Sequence, residues 1–453
     1  MINPDNHVNP VHCLSCLKMK SHGHLLRVLG VGFGLAVIIG NTIGAGIFRA
    51  PGSIAAELPS VGPFLLVWIA GALYALLGAI SLAELGTMIP RSGGQYVFSR
   101  YALGEYAGFI VGWSDWISSC GSTAAVALVV GTFSEALVPA VTGKAPAIAS
   151  AVTILFAVLQ WRGIVWGSNI QNLTSLLKAL AFLALIVAAF ALGGEGALTS
   201  AQPNSPSVVT ISAVIISLQA AIYTYDGWSG VIYFSEEVKH PGRDIPRALF
   251  GGVLSIAAIY LLVNVALLYV LPMSRIAGKE FAAGEAANVI FGVHGDTIFR
   301  CLTIVSMLSG INALHLMATR VLFAMSRDGL VTKKAAAVNK GGTPTVSLFL
   351  SALVAVLFIL FGQRFEIVIT VLAFFFVANY ILSFISLFVL RQLEPEKPRP
   401  YRAWGYPFTP ALALLGSLVF LGGAVAADTR NSVYALLLLA VSYPVFLLMK
   451  QLK

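Results

Sequence analysis

Lys178 stands alone in a long apolar stretch, with no other charged residue between Ser168 and Leu192. An ammonium at mid-bilayer costs at least about 2.5–3.5 kcal/mol on the most lenient scale, so a lysine there needs acceptors or a function. Snorkelling serves it poorly, because the middle of a span is far from both interfaces. Two further clusters break otherwise apolar runs: Gly40-Asn41-Thr42-Ile43-Gly44-Ala45-Gly46 and Tyr225-Asp226-Gly227-Trp228-Ser229-Gly230. Glycines and polar residues at that depth do little for a regular helix. A helix interrupted there exposes free N–H groups at the start of its outer half and free carbonyls at the end of its inner half. The amides of Gly44, Ala45 and Gly46 could hold a carboxylate, helped by the positive end of the following half-helix. Carbonyls around Thr42 and Ile43, and around Tyr223, Asp226 and Gly227, could hold an ammonium. Together the two poles suit the zwitterionic head of an amino acid.

Lys178 is expected to meet the carbonyls that end the first inner half-helix, around Ile39 to Thr42. Asp226 has two readings, as a cap on the outgoing half-helix or as a carboxylate that faces substrate, selecting cations or moving a proton. Asn379 is either a pocket hydrogen-bonding group or an interhelical contact. Gly40 and Gly44 also form a G-x-x-x-G, but close helix packing suits Gly104, Gly108 and Gly112 better, since no polar cluster accompanies them. Arg320, near one end of its span, is read as snorkelling.

The composition demands elements that position these residues inside a bilayer. Of 453 residues, 58% are hydrophobic and 10% charged, where a soluble globular chain carries about a quarter charged. That argues against a water-soluble enzyme, and no H-E-x-x-H, G-x-S-x-G or Walker loop is present. The net charge of +9 is scattered between apolar runs, without the basic stripe that nucleic acid requires. Apolar runs of roughly 20 residues predict twelve spans, at about 28–56, 61–89, 106–137, 145–161, 166–192, 208–235, 247–271, 297–325, 345–361, 365–391, 407–427 and 431–450. Basic residues favour the face bearing both termini roughly threefold, which predicts cytoplasmic termini. Cys13 and Cys16 form a C-x-x-C in the polar tail, but no second ligand pair has zinc-finger spacing, so neither metal nor cofactor is expected. No secretory signal is visible, and whether residues 1–18 belong to the natural chain is open.

Interruptions in spans one and six imply two units of five helices each. Five is odd, so the second unit enters the membrane from the opposite side, giving inverted repeats around a midplane binding site. The expected organisation is a tail (1–26), a first repeat (27–192), a second repeat with its leading loop (193–392), and a loop with two appended helices (393–453).

Five stretches resemble the amino acid, polyamine and organocation (APC) transporter superfamily, particularly its L-type amino acid transporter branch. They are GNTIGAGIF (40–48), AELGTMIPRSGGQY (83–96), YDGWSGVIYFSEEVKHPGRDIPRAL (225–249), TRVLFAMSRDGL (319–330) and YRAWGYPFTP (401–410). The resemblance implies an all-α membrane protein of LeuT-type fold, with twelve transmembrane helices, a five-plus-five inverted repeat, and broken helices one and six. It implies that Gly44, Ala45 and Gly46 match the carboxylate-binding turn, and that Thr42, Tyr223 and Asp226 match positions whose carbonyls receive the amino group. Tyr223 also matches an aromatic gate, Lys178 a lysine that takes the place of a sodium site, and Asn379 a pocket position. The implied activity is sodium-independent transport of L-amino acids, neutral ones first, by exchange or with a proton, in a bacterial inner membrane. A cationic amino acid or polyamine carrier using Asp226, and a non-transporting amino acid receptor, are the alternatives. Animal relatives often pair with a glycoprotein through a cysteine between helices three and four; connection 138–144 has none, so no such partner is expected and a monomer is the working unit.

Overall fold

The computed structural model describes residues 25–44, 46–194, 196, 198, 209–361, 365–427 and 429–451. Ala45, the C-x-x-C pair and residues 1–18 lie outside the described residues. Among the described residues the architecture is all-helical, with only two isolated β-bridges. The first half of the chain forms α1 (Val31–Thr42), α2 (Gly46–Glu57), α3 (Val61–Met88), α4 (Gln95–Leu103), α5 (Glu105–Leu137), α6 (Ala145–Trp161) and α7 (Ile164–Leu192). The second half forms α8 (Ile211–Tyr225), α9 (Pro241–Val270), the short α10 (Met273–Ile276), α11 (Ala282–Phe291), α12 (Gly295–Arg327), α13 (Thr345–Phe361), α14 (Phe365–Leu393), α15 (Phe408–Ala427) and α16 (Thr429–Gln451). Among the described residues eight helices are long and apolar enough to cross a bilayer, or nine if the bent pair α1 and α2 counts as one span. This is a multi-pass membrane protein.

Local sequence sets the breaks and starts. α1 and α2 meet at a 48° bend. α8 begins under Thr210, whose hydroxyl accepts from the Ala213 amide, and stops at Tyr225 because Gly227 takes φ +104, a conformation that suits glycine and few other residues. Beyond this break the expected outgoing half-helix is only a five-residue 3-10 turn, Gly230–Phe234. α9 starts at Pro241, earlier than the expected 247, with its proline in the first turn where the missing N–H costs nothing. α4 has no counterpart among the expected spans. It follows Gly93 and Gly94, both at positive φ, and packs against α5 and α14. The three glycines of the third span have different roles. A Cβ at Gly108 or Gly112 would strike Arg100 or Met325 respectively, whereas Gly104 has open space and takes φ +97 to start α5.

Two packing groups result. α1, α3, α8 and α9 associate in one, and α5, α6, α12 and α13 in the other, with α7 and α14 bordering both. At the end of the bundle bearing Leu29 and Lys450, four of the five sequence motifs converge on ion pairs. Asp328 takes Arg91 at 2.9 Å, Arg100 at 3.2 Å and the Tyr96 hydroxyl at 2.9 Å. Glu236 holds Arg327, and buried Glu84 holds Arg391, Arg399 and the Ala403 amide. The Leu29 amide donates to the Glu237 carbonyl and the Lys239 amide to the Leu29 carbonyl, which straps the start of α1 to this face. Arg320 does not snorkel. It is fully buried and meets Glu237 through two 3.0 Å bonds, so the charge is matched where it lies instead of being carried to an interface.

Candidate functional site

The two breaks face one another. A Cβ at Gly227 would come within 2.7 Å of the Asn41 side chain and 3.0 Å of the Thr42 amide, so only a glycine admits this approach. Tyr260 of α9 ties the breaks together: its buried hydroxyl lies 2.8 Å from the Thr42 carbonyl and 3.0 Å from the Thr224 carbonyl. One hydroxyl proton serves one carbonyl at a time, so acceptor capacity remains at this junction. The Tyr223 carbonyl accepts the Asp226 amide at 3.1 Å, which leaves it a second lone pair.

Between the breaks lies a cavity of about 290 Å³. Its wall includes Thr42, Gly44, Gly46, Tyr223, Asp226 and Gly227, so six of the expected site residues meet at one place. Serines of α5 (Ser119, Ser122) and Met317 of α12 close the opposite side, and Phe376 and Tyr380 come from α14. Arg49 of α2 also reaches the wall and pairs with Glu280 toward the face opposite the ion-pair cluster.

Lys178, at the midpoint of α7, is fully buried. Its ammonium donates to the Gly40 carbonyl at 2.8 Å and to the Ile43 carbonyl at 2.5 Å. Gly40 lies in the expected stretch and Ile43 one residue past it. The Ser306 hydroxyl of α12 adds a third donor, to the Ile43 carbonyl at 3.2 Å. The free carbonyls at the end of α1 are thus met by a fixed cation, as the negative end of a helix favours. Ile43 therefore contributes through this bond, and its buried side chain is not part of the cavity wall.

Gly40 and Gly44 part ways. A Cβ on Gly40 would collide with Gln171, Ser175 and Ser309, so Gly40 does serve close packing, whereas a Cβ on Gly44 meets nothing nearer than 4.0 Å. A Cβ on Gly46 would press on the Thr224 backbone at 3.2 Å, which gives that residue a packing duty as well as a place in the wall.

Asp226 does not cap an outgoing helix. It occupies the C-terminal cap of α8, the cap position of the following 3-10 turn being Ser229. Its carboxylate accepts the Tyr380 hydroxyl at 2.8 Å and lines the cavity. Asn379 is the interhelical contact of its two readings: its carbonyl oxygen accepts from Ser114 at 2.9 Å, and it is not in the cavity wall. Tyr260, Tyr233, Tyr380, Arg49 and Asp115 were missed by the sequence reading. Asp115 and Arg49 carried the same signal as Lys178, a charge inside an apolar run.

A membrane-embedded cavity walled by two interrupted helices is the architecture of a carrier rather than of an enzyme. The family model described as amino acid permease matches residues 34–443, and the chain belongs to that family of membrane amino acid transporters. It is 30% identical over 434 residues to the serine/threonine exchanger SteT of Bacillus subtilis (strain 168), covering 95% of this chain and 98% of that one. It is 26% identical over 418 residues to the b(0,+)-type amino acid transporter 1 of Mus musculus, covering 89% and 84%. It is also 26% identical over 394 residues to the human large neutral amino acids transporter small subunit 2, covering 83% and 72%.

Proposed function

We propose that this permease carries L-amino acids without sodium, by alternating access around the cavity between the two breaks. The observation that carries this reading is Lys178, whose ammonium occupies the carbonyls of Gly40 and Ile43 where a bound cation would otherwise sit. The main-chain amides of Gly44, Ala45 and Gly46 bind the substrate's carboxylate, and carbonyls at Thr42, Tyr223 and Asp226, beside Gly227, receive its ammonium. Asn379 supports the wall from behind through Ser114. The Tyr223 side chain acts as the gate over the bound head group.

Adding the 17-residue helices α6 and α13 and the broken α8 segment to the nine candidate spans brings the count to twelve. The pairing of α3 with α9 and of α5 with α12 supports the inverted five-plus-five arrangement, because those helices hold equivalent places in the two repeats. The boundaries at 26, 192 and 392 follow from it. The basic bias assigns the ion-paired face and both termini to the cytoplasm of a bacterial inner membrane, and the chain works as a monomer with no glycoprotein partner. The outer half of this arrangement holds Arg49 and Glu280, and the ion-paired face is the closed one.

Small and neutral substrates fit best, since the Bacillus relative is a serine/threonine exchanger and the Asp226 carboxylate is already held by Tyr380. A cationic amino acid or polyamine is the second reading, resting on the Asp226 carboxylate in the cavity wall, which would then turn toward the substrate's side chain. Thermal stabilisation of the purified protein by L-serine, L-leucine, L-lysine and putrescine separates the two. For a neutral carrier, Asp226→Asn leaves stabilisation by serine within about threefold of wild type and lysine gives none. A tenfold or greater loss confined to lysine or putrescine establishes the cationic reading.

A further inference from the structure

Asp115 lies a third of the way along α5, 1% exposed, and no salt bridge among the described residues includes it. Its contacts are with the Tyr233 hydroxyl, 3.0 Å from one carboxyl oxygen and 2.9 Å from the other. The hydroxyl's single hydrogen is shared between the two oxygens or given to one of them, and it is the one hydrogen-bond donor to this carboxyl among the described residues. Ionised, the group is a buried charge held by that one donated hydrogen, an arrangement heavily disfavoured inside a membrane; as the neutral acid it carries no such charge.

The position of the pair is equally specific. Ser119 and Ser122 of α5 line the cavity, and Asp115 sits one turn beyond Ser119, about 6 Å toward the ion-paired face. Tyr233 lines the cavity and reaches down to it. The tyrosine ring is seated on Gly94, where any Cβ would come within 2.4 Å of it, and its carbonyl accepts the Gly93 amide at 3.1 Å. Past Asp115, Gly112 packs on Met325 and Tyr96, which leads to the Asp328 cluster. The carboxyl thus stands between the cavity and the closed face, and its bond joins the segment after the second break to the α5 packing group.

Charges on the elements around α5 are committed elsewhere. α6 and α13 carry no ionisable side chain. On α4, Arg100 and Tyr96 serve Asp328, and Tyr101 serves Glu394. On α12, Arg320 and Arg327 serve Glu237 and Glu236, Arg300 pairs with Asp296, and buried His315 has no bonded ring nitrogen. On α14, Tyr380 serves Asp226 and Arg391 serves Glu84; on α16, Lys450 pairs with Glu105 and Arg430 with Tyr434. Glu135 of α5 takes the Ala145 amide. Asp226, in the cavity wall, is a like charge.

We propose that Asp115 is a proton-binding site, loaded from the cavity through Tyr233 and unloaded toward the ion-paired face, so that a proton can accompany the amino acid. This rests on the transport reading above. In the loading step, Tyr233 passes its hydroxyl proton to the Asp115 carboxylate and takes one from a hydronium ion in the cavity, which leaves as water. One proton moves, the carboxylate becomes a neutral carboxyl, and the tyrosine is regenerated. Reopening to the opposite face separates Tyr233 from α5 and releases the proton there.

Proteoliposomes and labelled L-serine test the idea. With one proton per substrate, a tenfold inward proton gradient supports about tenfold accumulation, because the two free energies are equal. Wild type should approach that level, and Asp115→Asn should fall to about onefold while still exchanging labelled for unlabelled serine without a gradient. Tyr233→Phe, which keeps the carboxyl, should approach the same accumulation at a slower initial rate, because its loading is slower. An infrared carboxyl C=O band present in wild type and absent from Asp115→Asn would report the protonated group directly. Equal accumulation by Asp115→Asn and wild type overturns the proposal, as does wild-type exchange that ignores the gradient. Wild type that neither exchanges nor accumulates any amino acid removes the transport reading, and this one with it.

Discussion

Lys178→Ala should slow turnover by at least about tenfold while substrate affinity changes far less. Each charge-assisted hydrogen bond contributes about 1.5–3 kcal/mol, about 1.4 kcal/mol is tenfold in rate, and Lys178 makes two, to Gly40 and Ile43. Both acceptors belong to the end of α1, and opening the ion-paired face requires α1 to move away from α7 and α12. The bond therefore forms in one state and weakens in the other, so its loss changes the balance and barrier between states more than it changes the cavity itself. Ser306, the remaining donor to the Ile43 carbonyl, is neutral and does not replace the ammonium. Sodium should not restore the variant. Exchange rates under saturating substrate, measured beside equilibrium binding, check this: wild-type turnover in sodium-free buffer would remove Lys178 from the mechanism.

Gly44→Leu should abolish binding, with affinity lowered by more than about a hundredfold. The space beyond Gly44 is open cavity, so four side-chain carbons there occupy the path by which a carboxylate reaches the main-chain amides. Overlap with a ligand is not relieved by small shifts in a packed interior. The first added carbon meets nothing nearer than the Thr42 carbonyl at 4.0 Å, so the substitution starts in open space. Gly46→Leu is a poorer test, since its side chain also presses on the Thr224 backbone and a loss there would mix binding with packing of α2 on α8. Calorimetric titration of correctly inserted Gly44→Leu protein, with thermal stability as a control, decides it. Affinity within threefold of wild type would show that the turn serves shape alone.

Much of the site was legible because the bilayer makes local exceptions conspicuous. A lone lysine in α7 and two glycine-rich polar clusters violate the apolar pattern wherever they fall, so the breaks and Lys178 needed no knowledge of neighbours. What local pattern hides is pairing across the chain. Tyr260 reads as one more aromatic in an apolar span, yet its hydroxyl joins both breaks. Arg320 looked free to snorkel because Glu237 lies 83 residues away, and the two readings of Asp226 stayed open because Tyr380 lies 154 residues away. α4 escaped notice for a different reason: it is short and half polar, too weak a pattern for a span and too helical for a loop. Asp115 and Arg49 were legible by the same lone-charge signal as Lys178, but no glycine-rich polar cluster surrounds them to mark a break.

The central claim, sodium-independent carriage of amino acids, is tested most directly by counterflow. Proteoliposomes loaded with unlabelled L-serine, suspended with all sodium replaced by choline, are offered a trace of labelled L-serine, and internal label is followed in time. The account predicts an overshoot of label inside loaded vesicles, unchanged when choline is replaced by sodium. Label that enters only when sodium is present, or that binds to the protein without entering the vesicles, would contradict it.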